Sequence, residues 1–399
     1  MGDKIIYFDH AATTPVRKEV FEAMLPYFSQ KFGNPSSIYS IGRESKMAIE
    51  EARETIAGII GAQPKEIFFT GSGTEADNWA IKGVAYANRQ KGKHIITTAI
   101  EHHAVLHACQ YLENDGFEVT YLPVDGNGLV TAEQVRAAIR PDTILVTIMF
   151  ANNEIGTIQP IAEIGRVTRE KGVYFHTDAV QAMGNVNINV SEMNIDLLSM
   201  SAHKFYGPKG VGALYVNKGV KITSFIHGGA QERGRRASTE NVAGIVGMAK
   251  ALEIAAANID QYNKKLIALR DRTIKEIEEK VPFVRLNGHR EKRLPGNVNF
   301  TFEFIEGESL LLMLDMKGIA ASSGSACTSG SLDPSHVLLA IGLPHELAHG
   351  SLRITFGEEN SDEDVDYLMS VLPPIVQRLR DMSPLYEAYC RKQGQQLQV

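Results

Sequence analysis

The chain predicts an α/β fold, with a mostly parallel sheet covered by helices and a second, smaller α+β domain. Two observations carry this. Short apolar runs alternate with longer segments of helical periodicity, and near residue 245 the alternation gives way to one long helical stretch. At 399 residues, 44% hydrophobic and 22% charged, the chain is long enough for two cores.

The strands come first. EIFFTG (from Glu66), HIITTA (His94), TILVTIMF (Thr143), VYFHTDA (Val173), IDLLSMSA (Ile195) and GALYV (Gly212) read as buried strands, rich in Ile, Val, Leu and Phe. From Thr74 a helix is expected, because Ala76, Trp79, Ala80, Gly83, Val84 and Ala87 fall on one face. The stretch VGMAKALEIAAANIDQYNKKLIALRDRTIKEIEEKV reads as a long helix bridging to the second domain, which holds GNVNFTF and the closing helices. No repeat, low-complexity tract or flexible linker is evident.

Composition excludes several classes. Net charge is -6, from 41 basic and 47 acidic residues without a long block of one sign, so no nucleic-acid or membrane-surface partner is expected. MGDKIIYFDHAATTP lacks the apolar core of a secretion signal, and no run approaches the roughly 20 apolar residues that span a bilayer. Cys109, Cys327 and Cys390 are too scattered for a disulfide framework or a zinc site. A cytosolic protein with reduced thiols is expected.

An α/β sheet places its ligand at the C-terminal ends of its strands. Four segments there carry reactive or anion-binding groups. FFTGSGTEADNWA joins a strand to a helix through a glycine-rich turn, with Gly73, Thr74 and then Glu75 in the first helical turn. That start suits a phosphate, though a capped helix explains it equally well. IITTAIEHHAV puts His102 and His103 past a strand, where an imidazole could stack on a ring or move protons. A lone histidine is more often structural, and neighbours on an extended chain point apart.

VYFHTDAVQA carries Asp178 and Gln181; the carboxylate either caps a helix or pairs with a cation such as a protonated ring nitrogen. SMSAHKFYGPKGVGALY carries Ser201, His203 and Lys204 between a strand and a Gly/Pro turn. A lysine there usually snorkels outward, but one that is partly desolvated can form a Schiff base. Phosphate, stacking ring, ring nitrogen and aldehyde together describe pyridoxal 5′-phosphate.

These segments, with YFDHAATTP, FGNPSS, NNEIGT, GGAQERGRRASTEN and SGSACTSG, resemble the signature blocks of the cysteine desulfurases of the NifS/IscS family, in order from Tyr7 to about Pro384. The resemblance implies a fold-type I pyridoxal-phosphate homodimer with a seven-stranded sheet. It would convert L-cysteine to L-alanine and an enzyme persulfide. A large cofactor-binding domain would span 15–260, and a small domain carrying the cysteine loop would combine 1–14 with 261–399.

By the same resemblance, Lys204 holds the cofactor aldehyde, His102 stacks on the ring and moves protons, Asp178 partners the ring nitrogen and Gln181 the ring hydroxyl. Gly73, Thr74, Ser201 and His203 cradle the phosphate, and Thr239 does so from the other subunit. Asn153, Arg353 and Asn34 hold the substrate, Asn153 touching the cofactor as well; an Arg fork suits a carboxylate bidentately. Cys327 takes the sulfur and passes it to a NifU/IscU-like iron–sulfur scaffold. In that role it would also be a transient iron–sulfur ligand shared with the scaffold.

Cys327 sits in SSGSACTSGS, a Gly/Ser segment that matches the longer loop of the NifS/IscS branch, and such a loop can bend between donor and acceptor. Cys109, in a helical pattern, reads as packing, and Cys390 as a tail residue without a role. The final SPLYEAYCRKQGQQLQV lacks the Ser-Ile-Glu-Trp-type tail of many IscS-type members, which favours a NifS-type enzyme. Three rivals stand beside this reading. One is another enzyme of the fold, such as a selenocysteine lyase or an aminotransferase, which would not need Cys327. The others are an iron–sulfur carrier, disfavoured by three dispersed cysteines, and a nucleotide binder, disfavoured by the missing Walker and dinucleotide patterns.

Overall fold

The computed structural model describes residues 5–323 and 334–393; the cysteine segment around Cys327 lies outside them. Twelve strands occur among these residues. They are β1 (Ile6–Tyr7), β2 (Ile67–Thr70), β3 (His94–Thr98), β4 (Glu118–Leu122), β5 (Thr143–Thr147) and β6 (Tyr174–Asp178). β7 (Leu197–Ser201), β8 (Gly212–Val216), β9 (Val284–Leu286), β10 (Asn297–Phe302), β11 (Ile319–Ala320) and β12 (Ser351–Thr355) follow.

A seven-stranded sheet runs in the order β2-β8-β7-β6-β5-β3-β4. The β7–β6–β5–β3–β4 neighbours pair in parallel, and β8 is antiparallel to both β2 and β7. Two antiparallel steps restore direction, so β2 points the same way as β7. The C-terminal ends of β2, β3, β5, β6 and β7 therefore share one edge, and the site is built there.

Alternation along the strands sorts the core into two layers. Ile67 and Phe69 face one layer with Ile56 and Leu252, from the helices Ser40–Ile60 and Val242–Lys280. Phe68 faces the other with Ala76, Trp79 and Val105, from the helices Gly73–Asn88 and His103–Asn114. Cys109 is fully buried in that second layer, where burial pushes its thiol far up.

A separate core gathers Ile6 and Phe8 with β10, β12 and the helix Asp362–Asp381. Its sheet has the order β12-β10-β9, all antiparallel, while β1 pairs in parallel with β11. The helix Val242–Lys280 is long and apolar enough to cross a membrane by length and composition, yet 56% of its most apolar window is buried inside the protein. Cys390, expected in a polar tail, is buried on the helix Pro384–Lys392.

Candidate active site

A cavity of about 310 Å³ opens at the shared strand edge. It brings together Gly73, Thr74, His102, Asn153, Asp178, Gln181, Ser201, His203, Lys204 and Arg353, all of them expected from sequence. Gly73, Thr74, His102, Asp178, Ser201, His203 and Lys204 sit where a strand stops or a helix starts, whereas Arg353 comes from within β12 and Asn153 and Gln181 from turns.

The turn after β2 makes the first wall. Ser72 caps the helix Gly73–Asn88, its side chain accepting from the Glu75 amide at 3.1 Å. Glu75 in turn accepts from the Gly71 amide at 2.7 Å and is gripped by Arg236 at 2.7 and 3.0 Å. A Cβ on Gly73 would stand 2.7 Å from Val180 and 3.3 Å from Ser201, so only glycine lets backbone amides line this corner. Thr74 is exposed beside it.

His102 is not on extended chain leading into another strand; it caps the helix His103–Asn114. Its Nδ1 accepts from the Ala104 amide at 3.1 Å, which leaves the proton of the neutral ring on Nε2. Burial, then Lys204 and His336, push its pKa down to about 4, so the imidazole is uncharged at neutral pH. His103 begins the helix, its ring 4.8 Å from that of His336 and 5.2 Å from that of His107. Among the described residues no cluster of histidines, cysteines and carboxylates could hold a metal ion.

Asp178 ends β6. Its Oδ1 accepts from the Val180 amide at 2.9 Å, and burial raises its pKa to about 6 against the pull of that amide and of Lys204. Gln181 donates to the Ala11 carbonyl at 2.9 Å. Lys204, closing a 3-10 turn after β7, donates to the carbonyls of Ala11 and Ala12 at 2.6 and 2.7 Å. His203 meets Thr13 at 3.1 Å, and burial, then Lys204 and Lys209, push its pKa down to about 4. The segment Asp9–Thr14 thus forms a brace across the lysine side of the cavity.

Arg353, on β12, also lines the cavity and is 3% exposed. It donates to Asp9 at 2.8 Å and to the Asn153 carbonyl at 2.9 Å, while its buried Nε has no partner. A cation so placed suits a carboxylate.

Two expected residues are elsewhere. Asn34 does not line the cavity of its own chain; it is exposed in the turn before the helix Ser40–Ile60, where its side chain accepts from the Ser36 amide at 2.9 Å. Thr239 is also exposed and outside this cavity. It follows a tight segment in which Glu232 and Arg233 have φ of 45° and 59°, a conformation that costs non-glycine residues. Arg53 holds that segment with a buried two-point ion pair to Glu232, 2.8 Å at each contact. Cys327 is outside the described residues.

Three site residues escaped the sequence. Asp9 lies within YFDHAATTP, where no local pattern marks it. Glu101, wholly buried, accepts from the Thr98 hydroxyl at 2.6 Å and the Met149 amide at 3.0 Å. Asp77 lines the cavity from the buried face of its helix. A carboxylate between Ala76 and Ala80 on an apolar stripe was the available signal.

The residues fit a pyridine ring carrying phosphate and aldehyde groups. Asp178 and Asp77 line the cavity, with Asp77 Oδ1 buried and unpartnered; the Gly73 corner offers amides, and Lys204 offers an amine.

Comparison with known proteins follows the same lines. Residues 6–368 match the family model described as aminotransferase class-V. "Cysteine desulfurase IscS" of Clostridium botulinum is 61% identical over 391 residues, 98% of each chain. The protein of that name from Methanosarcina thermophila is 64% identical over 383 residues, 96% of this chain and 95% of its own. Among solved structures, a "NifS-like protein" superposes with a TM-score of 0.89 at 40% identity, covering 94% of this chain and all of that one. "SspA in complex with cysteine" gives 0.78 at 42% identity, over 88% of this chain and 98% of the other.

Proposed function

The chain belongs to the class-V aminotransferase family and, within it, to the cysteine desulfurases, and from that premise we propose how its residues divide the work. The protein is a pyridoxal-phosphate-dependent enzyme that removes sulfur from L-cysteine, leaving L-alanine and a persulfide on Cys327. The observation that carries the reading is the single cavity in which Lys204, Asp178, His102 and Arg353 meet.

When bound, the cofactor supplies an electron sink that makes the substrate's Cα–H acidic and its Cβ–S bond reactive. Lys204 would hold the cofactor aldehyde, and its amine would serve as the base that takes and returns the substrate's Cα proton. Asp178 balances the charge of the ring nitrogen, and Gln181 orients the ring hydroxyl. His102, neutral and protonated on Nε2, covers the ring and can pass a proton. The Gly73 amides, Thr74, Ser201 and His203 receive the phosphate. Arg353 and Asn153 hold the substrate carboxylate, which leaves the sulfur directed at the incoming Cys327 thiolate.

A homodimer completes the site. Thr239 is exposed outside its own cavity, as a phosphate contact lent to a second copy would be. Phe21, Phe28, Phe32, Ile38 and Met47 are exposed around the start of the helix Ser40–Ile60, the apolar surface a second copy would cover; Asn34 lies among them. A NifU/IscU-like iron–sulfur scaffold is the proposed sulfur acceptor, with Cys327 as the transient shared ligand. The two described cysteines, both free and buried, accord with a reducing cytosol. The expectation of a NifS-type enzyme, taken from the tail, stands beside relatives that carry the IscS name at 61% and 64% identity.

The test is a single turnover with L-cysteine followed by alkylation and mass spectrometry. One alanine and one extra sulfur on Cys327 are expected per site. In Cys327→Ser the cofactor and cysteine should still bind, with no persulfide formed. An extra sulfur placed on Cys109 or Cys390, or full alanine release in Cys327→Ser, would overturn the assignment.

A further inference from the structure

Behind Asp178 lies a buried polar chain that the reaction as described does not use. Asp77 is 1% exposed, lines the cavity, and keeps an Oδ1 with no hydrogen-bond partner. The groups acting on it are Asp178 on β6, Glu101 after β3, and the Ser199 hydroxyl on β7; His176, also on β6, stands 3.7 Å away. Lys204 acts on Asp178.

Two carboxyls buried together do not readily both ionise. Asp178 has the stronger claim to the charge, because the Val180 amide donates to it and Lys204 is near. Asp77 has only a hydroxyl in its favour, and burial raises its pKa well above the usual carboxylate range.

The neighbours fix a direction. The Thr147 hydroxyl meets His176 Nδ1 at 2.8 Å, and His176 Nε2 meets the Ser199 hydroxyl at 2.9 Å. Burial pushes the pKa of His176 down to about 3, so its ring is neutral and has a single N–H. Ser199 gives its one proton to Asp77, so its oxygen accepts Nε2–H of His176, and Nδ1 accepts from Thr147. Asp77 then ends the chain as an acceptor, and Asp178 is the residue paired with Ser199 across β6 and β7.

We propose that Asp77 is a positioning residue which, as a neutral acid, donates its proton in a hydrogen bond to the ionised Asp178 and so fixes the carboxylate that meets the cofactor's ring nitrogen. This rests on the reading of Asp178 given above. It makes Asp77 the end of a relay through Thr147, His176 and Ser199.

A neutral donor can be replaced by another neutral donor, whereas a required charge cannot. Asp77→Asn should bind added pyridoxal 5′-phosphate to the cofactor-free protein within about 3-fold of wild type, and Asp77→Ala about 10- to 100-fold more weakly. Infrared spectra of the cofactor-free proteins should show a protonated buried carboxyl in wild type, with one such signal lost in Asp77→Asn. An unchanged carboxyl signal in Asp77→Asn would overturn the proposal. So would an affinity loss in the Asn variant as large as that in the Ala variant, or full affinity in Asp77→Ala. If Asp77→Ala does not fold, the Asn variant decides alone. Asp178→Ala separates the two readings: wild-type cofactor affinity there would sink the role of Asp178, while the infrared signal still reports on Asp77.

Discussion

Arg353 and Asp9 are 344 residues apart in the chain, yet Nη2 of one donates to Oδ1 of the other at 2.8 Å. The pair sets the guanidinium plane, while the buried Nε has no partner.

Arg353→Lys should therefore raise the KM for cysteine about 10- to 100-fold, because an ammonium cannot span a carboxylate with two parallel bonds. Asp9→Ala should raise it less, roughly 3- to 10-fold, by freeing the fork to turn away. Steady-state kinetics decide; unchanged KM in both variants would remove Arg353 from the substrate site.

Lys204→Ala should lose all cysteine turnover and the covalent attachment of the cofactor, while retaining some pyridoxal phosphate without a bond. Borohydride treatment followed by mass spectrometry reads the attachment. A reduced cofactor still fixed to the variant chain, with alanine produced, contradicts the assignment.

Glu101 gives a signed dependence on pH. Burial lifts its carboxyl from 4.5 to about 8, so between those values the folded chain holds a proton that the unfolded chain has released. Its stabilising contribution is complete below about 4.5 and is lost as pH rises through about 8, at up to about 1.4 kcal/mol per pH unit. Glu101→Gln cannot titrate. The stability of wild type relative to this variant should decline from pH 5 to 9 in denaturant melts, and a constant difference refutes the placement of that proton.

The shared site can be tested by mixing inactive chains. A Thr239→Ala chain paired with a Lys204→Ala chain leaves one site with both intact residues, and activity should recover at about half the sites. Confirmed mixed dimers with no recovery would show that Thr239 serves its own chain or none.

Legibility in the sequence followed distance along the chain. Lys204, Asp178 and His102 stand beside buried apolar strands, so a local pattern announces both the strand and the rim. β4 was not expected, because Glu118–Leu122 is an edge strand of mixed polarity with only Leu122 buried. Asp9 meets Arg353 only through the tertiary fold, and no periodicity marks such a pair. Glu101 follows β3 beside two histidines, and its burial is set by tertiary packing that no local pattern marks. Asn34 and Thr239 lie on exposed surface of the single chain, so their roles hang on a second copy that no local pattern describes.

The brace formed by Asp9–Thr14 also dictates an order of assembly. His10 bonds Thr355 across 345 residues, and the same short segment accepts from Lys204 and Gln181. A ribosome releases this segment first, but its docking partner on β12 emerges only near the end of synthesis. Closing so long a loop is slow. The amides of residues 6–11 should accordingly gain protection late in a pulse-labelled refolding experiment, after those of β5 and β6. The earliest residues made are then among the last to be placed, and the cavity gains its lysine-side wall only once the chain is nearly complete.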